Sequence, residues 1–126
     1  MNITDHQNQI LNVIISIGDE SGIGPEVILK AIGAPEFPKD IHTQIIGSRE
    51  NLLLTYKLLK SKGLSNVADP KTLDIKDIEI PERNITFQSK EYFGNNSFHY
   101  LKYAIELVKS SSNACLVTGP ICKKSW

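Results

Sequence analysis

Apolar residues fall along this chain in two alternating rhythms. Short β-branched runs give way to longer segments whose apolar positions recur at three- and four-residue steps. "NVIISI", Asn12 to Ile17, suits a strand buried on both faces of a parallel sheet. After "GDESGIGP", the segment "EVILKAIG" predicts a helix with Pro25 in its first position and Gly33 as its stop. "HTQIIGS", His42 to Ser48, predicts a second strand. Ser48 then caps a helix through "RENLLLTYKLLKSKG", which places Leu52, Leu53, Tyr56 and Leu59 along one side and ends at Gly63.

The pattern is less regular over residues 64–94. Leu73, Ile75, Ile78 and Ile80 alternate between Pro70 and Pro81, as in an edge strand or a surface excursion. "NITFQ", Asn84 to Gln88, predicts a strand. A helix follows from about Asn96 to Ser111, with Phe98, Leu101, Ile105 and Val108 as its core-facing stripe, and "ACLVTG" supplies the last strand. This alternation predicts an α/β fold, a three-layer αβα arrangement around a mainly parallel sheet. No internal repeat, low-complexity tract or interdomain linker interrupts residues 1–126, which read as one αβ layer system.

Composition narrows the function classes. The 126 residues include 40% apolar and 22% charged residues, enough for one modest core. Fourteen basic and fourteen acidic residues cancel without a block of either sign, which speaks against a nucleic-acid footprint and a polybasic membrane patch. The apolar run Ile10 to Ile17 is broken by Asn12 and Ser16 and is too short to span a bilayer. It lacks the basic start and the cleavage site of a signal peptide. Cys115 and Cys122 have no CxxC spacing and read as reduced thiols of a cytoplasmic protein.

Ligands of open parallel sheets sit beyond the carboxyl ends of the strands, and two glycine-bearing segments fall there. In "GDESGIGPE", Gly18, Gly22 and Gly24 allow tight turning and close backbone approach, and the helix opening at Pro25 aims amide donors at the loop. Asp19 and Glu20 argue against a bare phosphate cradle and suit a nicotinamide ribose, a cation or a hydroxyl. Val27 stands where GxGxxG requires its third glycine, so the pattern alone equally describes a structural strand-to-helix turn. In "TGPICKK", Thr118 offers a hydroxyl, Gly119 a close approach and Pro120 a fixed turn. Lys123 and Lys124 either meet phosphate or carboxylate or form a solvated surface pair. His6, His42 and His99 show no metal-ligand spacing, and Cys122 beside Lys123 has no identifiable base. Tyr92, Phe93, Tyr100 and Tyr103 read as packing.

Together, "GDESGIGPEVILKA" and, about ninety residues on, "CLVTGPICKKSW" resemble the 4-hydroxythreonine-4-phosphate dehydrogenase family, within the isocitrate/isopropylmalate dehydrogenase-like group. The resemblance implies that group's fold, incomplete in this chain, which would form the N-terminal part of the first domain of a longer two-domain homodimeric enzyme. It implies oxidation and decarboxylation of a small phosphorylated amino acid, 4-phosphooxy-threonine, to 3-amino-2-oxopropyl phosphate in pyridoxal phosphate biosynthesis. NAD or NADP would be the cofactor, with a divalent metal such as zinc, magnesium or cobalt. Gly22, Ile23 and Gly24 would face the cofactor, and Thr118, Gly119 and Lys123 the substrate. The family's His-Thr pair and three metal-binding histidines would lie beyond Trp126, so the 126-residue chain alone is expected to be inactive. Glu20-Ser21 departs from the family's usual Pro-Ala, and Cys122 falls where relatives vary. A non-catalytic α/β ligand-binding or interaction module is the alternative, whereas an isopropylmalate-type substrate segment would need more arginine than Arg49 and Arg83.

Overall fold

A computed structural model describes residues 10–81 and 84–121. Four strands form one parallel sheet: β1 (Leu11–Ser16), β2 (Ile41–Ile46), β3 (Asp74–Lys76) and β4 (Ala114–Thr118), in spatial order β3-β2-β1-β4. Three helices connect them: α1 (Gly24–Gly33), α2 (Arg49–Ser61) and α3 (Lys90–Lys109), with a 3-10 turn at Pro70–Thr72. The β-branched centre of β1 is fixed in register on both sides, Ile15 lying opposite Ile45 of β2 and Val117 of β4. Ser48 caps α2 as its position in the sequence predicts, its hydroxyl accepting the Asn51 amide at 3.1 Å.

Right-handed crossovers settle the layers. The steps β1 to β2 and β2 to β3 run the same way, so α1 and α2 share one face and pack on each other. The step from β3 to β4 runs back past β1, which sends α3 to the opposite face, where it packs on β1, β2 and β4. This is the three-layer αβα arrangement expected from the alternation. The core joins Ile14, Ile15 and Ile17 to Ile28 and Leu29 of α1, Ile45 and Ile46 of β2, Leu52 of α2 and Tyr100 and Ala104 of α3.

Two expectations are corrected. Asn84–Gln88 is not a strand. Ser89 donates its amide to the Thr86 carbonyl at 3.1 Å, Gln88 sits at φ 62°, and Phe87 is 69% exposed. A turn there sets Ser89 as the cap of α3, its hydroxyl accepting the Tyr92 amide at 3.1 Å, so the helix starts at Lys90 and not at Asn96. The stripe is also misplaced. Phe98 and Ile105 are exposed, and the buried face runs through Gly94, Ser97, Tyr100 and Ala104. Counting apolar residues overlooked this face because three of its members are small. Small side chains let α3 lie close on the sheet, and Ser97 satisfies its hydroxyl on the Gly94 carbonyl at 2.8 Å.

Candidate functional site

Strand order reverses between β1 and β4, the place where a doubly wound sheet opens a crevice at its carboxyl edge. Both glycine loops leave the sheet at this point. They are bonded directly to each other: the Gly119 amide donates to the Ser16 carbonyl at 2.7 Å, and the Asp19 amide to the Pro120 carbonyl at 2.9 Å.

Such contact tolerates no side chain at three positions. Gly18 has φ +82°, and a Cβ there would strike the Pro120 carbonyl. A Cβ on Gly119 would strike the Ile17 carbonyl oxygen, and one on Gly24 would lie 2.6 Å from the same atom. Gly22 differs, because a Cβ would make only ordinary contact with the Asp19 carbonyl at 3.5 Å. The turning role expected of all three loop glycines therefore belongs to Gly18 and Gly24.

Gly24, Thr118 and Gly119 share the lining of a small apolar cavity of about 230 Å³ with Val27, Ile28 and Val117. Gly22 and Ile23 stand exposed beside it, Ile23 at 62%. Ile23 supplies no side-chain cap to α1, so the first-turn amides are left without a capping side chain among the described residues. Five of the six proposed contact residues thus belong to one loop pair; Lys123, like Cys122 and Lys124, lies outside the described residues.

The acidic pair of the first loop divides in function. Asp19 is buried and works inside the turn, its Oδ1 accepting the Ser21 amide at 2.9 Å and the Ser21 hydroxyl at 2.5 Å. Glu20 points the other way, into a second and larger cavity of about 550 Å³. This cavity lies beyond the ends of β1, β2 and β3, between the N-termini of α2 and α3. The Glu20 side chain is held at both oxygens: Tyr100 donates its hydroxyl to Oε1 at 2.7 Å, and the Ser48 amide donates to Oε2 at 3.1 Å. Burial raises the Glu20 pKa above its ordinary value; the two hydrogen bonds oppose the rise, and the charges of Asp77 and Asp19 add to it. Burial and the neighbouring carboxylate push the Tyr100 hydroxyl far up as well, so Tyr100 remains a donor.

Sequence reading missed this pair. Tyr100 does pack in the core, as expected, but nothing in the pattern tells which residue 80 positions away its hydroxyl reaches. Asn51 and Asn96, which also line the larger cavity, were missed for the same reason.

The pair gives a pH dependence of definite sign. A carboxyl whose pKa is higher folded than unfolded contributes its full stabilisation below the unfolded value, and loses it as pH rises through the folded one. Replacing Glu20 by Gln removes that dependence while keeping the shape. The difference in urea midpoint, Glu20→Gln minus wild type, is expected to become more positive from pH 4 to pH 8. A difference that is constant or falls over that range would contradict the buried-carboxyl account.

The metal implied by the resemblance finds no fit among the described residues, where no group of three His, Cys, Asp or Glu side chains could hold an ion. His42 is engaged at the exposed sheet edge, its Nε2 3.0 Å from Asp74 Oδ2. Among the described residues, no helix is long and apolar enough to cross a membrane.

No family model matches the chain. Individual proteins do. The chain is 36% identical over 118 residues to the 4-hydroxythreonine-4-phosphate dehydrogenase of Synechocystis sp. (strain ATCC 27184 / PCC 6803 / Kazusa), covering 90% of this chain and 34% of that protein. It is 32% identical over 115 residues to the enzyme of the same name from Synechococcus sp. (strain JA-2-3B'a(2-13)), covering 89% of this chain and 34% of the relative. The crystal structure of a 4-hydroxythreonine-4-phosphate dehydrogenase from Burkholderia phymatum superposes with a TM-score of 0.73 at 21% identity, over 94% of this chain and 38% of that one, and shows the shared fold. The chain spans about a third of the length of the curated relatives it matches. Over about nine tenths of its own length it is therefore a relative of the 4-hydroxythreonine-4-phosphate dehydrogenases, corresponding to about a third of such an enzyme.

Proposed function

We propose that this chain forms the N-terminal part of an NAD(P)-dependent dehydrogenase that oxidises 4-phosphooxy-threonine, and that the resulting β-keto acid loses carbon dioxide to give 3-amino-2-oxopropyl phosphate for pyridoxal phosphate synthesis. The observation that carries this reading is the meeting of the two glycine loops where strand order reverses, in a chain related to dehydrogenases of that name. When bound, the nicotinamide supplies the acceptor for hydride. The chain's own part is to position. Gly22 and Ile23 offer open backbone and an apolar side chain at the mouth beside the uncapped amides of α1, and suit the nicotinamide end of the cofactor. Thr118 and Gly119 bring a hydroxyl and half-buried backbone to the edge of the same crevice, and Lys123 supplies a positive charge to an anionic group of the substrate.

On this reading the complete enzyme is a cytoplasmic homodimer, and its divalent metal takes its ligands from residues other than those described. The 126-residue chain alone is expected to give no NAD or NADP reduction with 4-phosphooxy-threonine, with or without zinc, magnesium or manganese. Robust turnover would overturn the assignment of the metal ligands to other residues.

In the complete enzyme, Lys123→Ala tests the substrate side. A charge-assisted hydrogen bond contributes about 1.5–3 kcal/mol, so kcat/KM is expected to fall roughly 10- to 150-fold, with a smaller effect for Lys124→Ala. Wild-type kinetics in both variants would return the lysines to the solvated surface.

A further inference from the structure

The larger cavity has a chemistry that the dehydrogenase reading does not use. Three polar side chains set its character. Glu20 is 7% exposed, and each of its oxygens accepts one hydrogen bond from the described residues. Asn51 Oδ1 is buried and has no partner among the described residues. Asn96, 6% exposed, makes no side-chain hydrogen bond with any described residue. A carboxylate has about four acceptor sites, of which the described residues use two at Glu20, so unused acceptor capacity remains at the cavity. Buried polar groups without partners are few in native proteins, and each asks for an explanation.

The remaining lining sharpens the ligand class. Glu50 and Asp77 are two further acidic residues, and no lysine or arginine is among the described lining residues. Arg49, next in sequence to Ser48, is not itself a lining residue: its Nη2 donates to the Ile75 carbonyl at 3.0 Å, and its Nε lies 3.8 Å from Asp77 and offsets that one lining charge, leaving Glu20 and Glu50. Opposite the acceptors stands an apolar and aromatic wall that includes Ile78, Phe87, Tyr92 and Phe93, with Tyr92 edge-on to both phenylalanines at ring-centroid distances of 5.0 and 5.3 Å. Among the described lining residues an anion would meet the like charge of Glu20 and Glu50. A cation on an apolar body would meet carboxylate and amide oxygens at one end and ring surface at the other.

We propose that this cavity is a binding pocket for a small molecule carrying a primary amine on an apolar or aromatic body, its ammonium group received by the Glu20 carboxylate. The size agrees, since about 550 Å³ lies within the range of small-molecule pockets. Glu20 stands where the resembling family usually has proline, so the carboxylate that defines the pocket is a feature of this chain. The pocket is independent of the dehydrogenase reading and can fail or stand without it.

Phenethylamine is the probe, titrated into the 126-residue protein at about pH 8, where an ordinary amine is charged. Saturable shifts of the Asn51 and Asn96 side-chain amides are expected in ¹H–¹⁵N NMR spectra. 3-Phenylpropanoate, of similar size and opposite charge, is expected to bind at least about 10-fold more weakly, as loss of a charge-assisted hydrogen bond requires. Glu20→Gln should weaken the amine by a comparable factor while leaving the affinity for neutral 2-phenylethanol unchanged. Absence of saturable shifts at Asn51 and Asn96, equal binding of the carboxylate, or an amine affinity indifferent to Glu20→Gln would each overturn the proposal. The comparison of amine with carboxylate needs only the wild-type protein, so the test survives a variant that fails to fold.

Discussion

Gly119→Val is expected to unfold or severely destabilise the protein, lowering the melting temperature by about 10 °C or more, in line with a loss of about 4 kcal/mol. The cause is local. The first atom of any side chain at this position would coincide with the space of the Ile17 carbonyl oxygen, and Ile17 is fully buried at the end of the central strand. Neither side can yield cheaply. Ile17 donates its amide to Ile46 at 3.0 Å and presses its own side chain against Gly47, while Gly119 is held by the Ser16 carbonyl at 2.7 Å. Separating the loops would break that bond and the one from Asp19 to Pro120, each contributing about 1 kcal/mol. Gly22→Ala is the matched control in the first loop. Its Cβ would meet only ordinary contact, and its effect is expected to stay within about 1 kcal/mol. Urea melts of the two variants decide the matter. Equal and small effects would show that the two loops separate freely and that their contact does not organise the crevice.

That contrast shows what the sequence could tell and what it could not. The layer architecture was legible because β-branched runs and capped amphipathic segments alternate in the right lengths, and Ser48 and Pro25 mark their helices by local chemistry alone. The loops were legible as places where glycine matters. Which glycine matters was not, since the answer depends on a carbonyl of Ile17 meeting a residue a hundred positions later. The errors around α3 share one origin. "NITFQ" has the composition of a strand, but it joins no sheet among the described residues, and tertiary context overrides β-propensity. The buried face of α3 carries glycine, serine and alanine because the helix sits close to the sheet, so a search for large apolar residues selected the outer face. The Glu20–Tyr100 bond joins the first loop to the third helix, and only the fold brings them together.

The outer face of α3 and the edge of β4 lead to the second large effect, the behaviour of the 126-residue chain in isolation. Among the described residues, β4 pairs only with β1, so its other edge presents unpaired backbone groups. Val117 on that strand is 47% exposed, Phe98 and Ile105 of α3 are 44% and 39% exposed, and Val27 of α1 is 46% exposed beside the small apolar cavity. A parallel sheet is ordinarily covered on both faces, and an open apolar edge recruits other chains. The isolated chain is therefore expected to self-associate as its concentration rises, through β4 and the surfaces flanking it. Light scattering coupled to size-exclusion chromatography, run over a tenfold or greater concentration range, reads this directly. Val117→Lys places a charge on the open strand without touching the buried core, and should shift the population toward monomer while leaving the far-ultraviolet circular dichroism unchanged. A wild-type chain that remains a monomer with a cooperative, high-temperature melt at every concentration would mean that β4 is covered within the chain itself, and that these 126 residues form a self-sufficient domain.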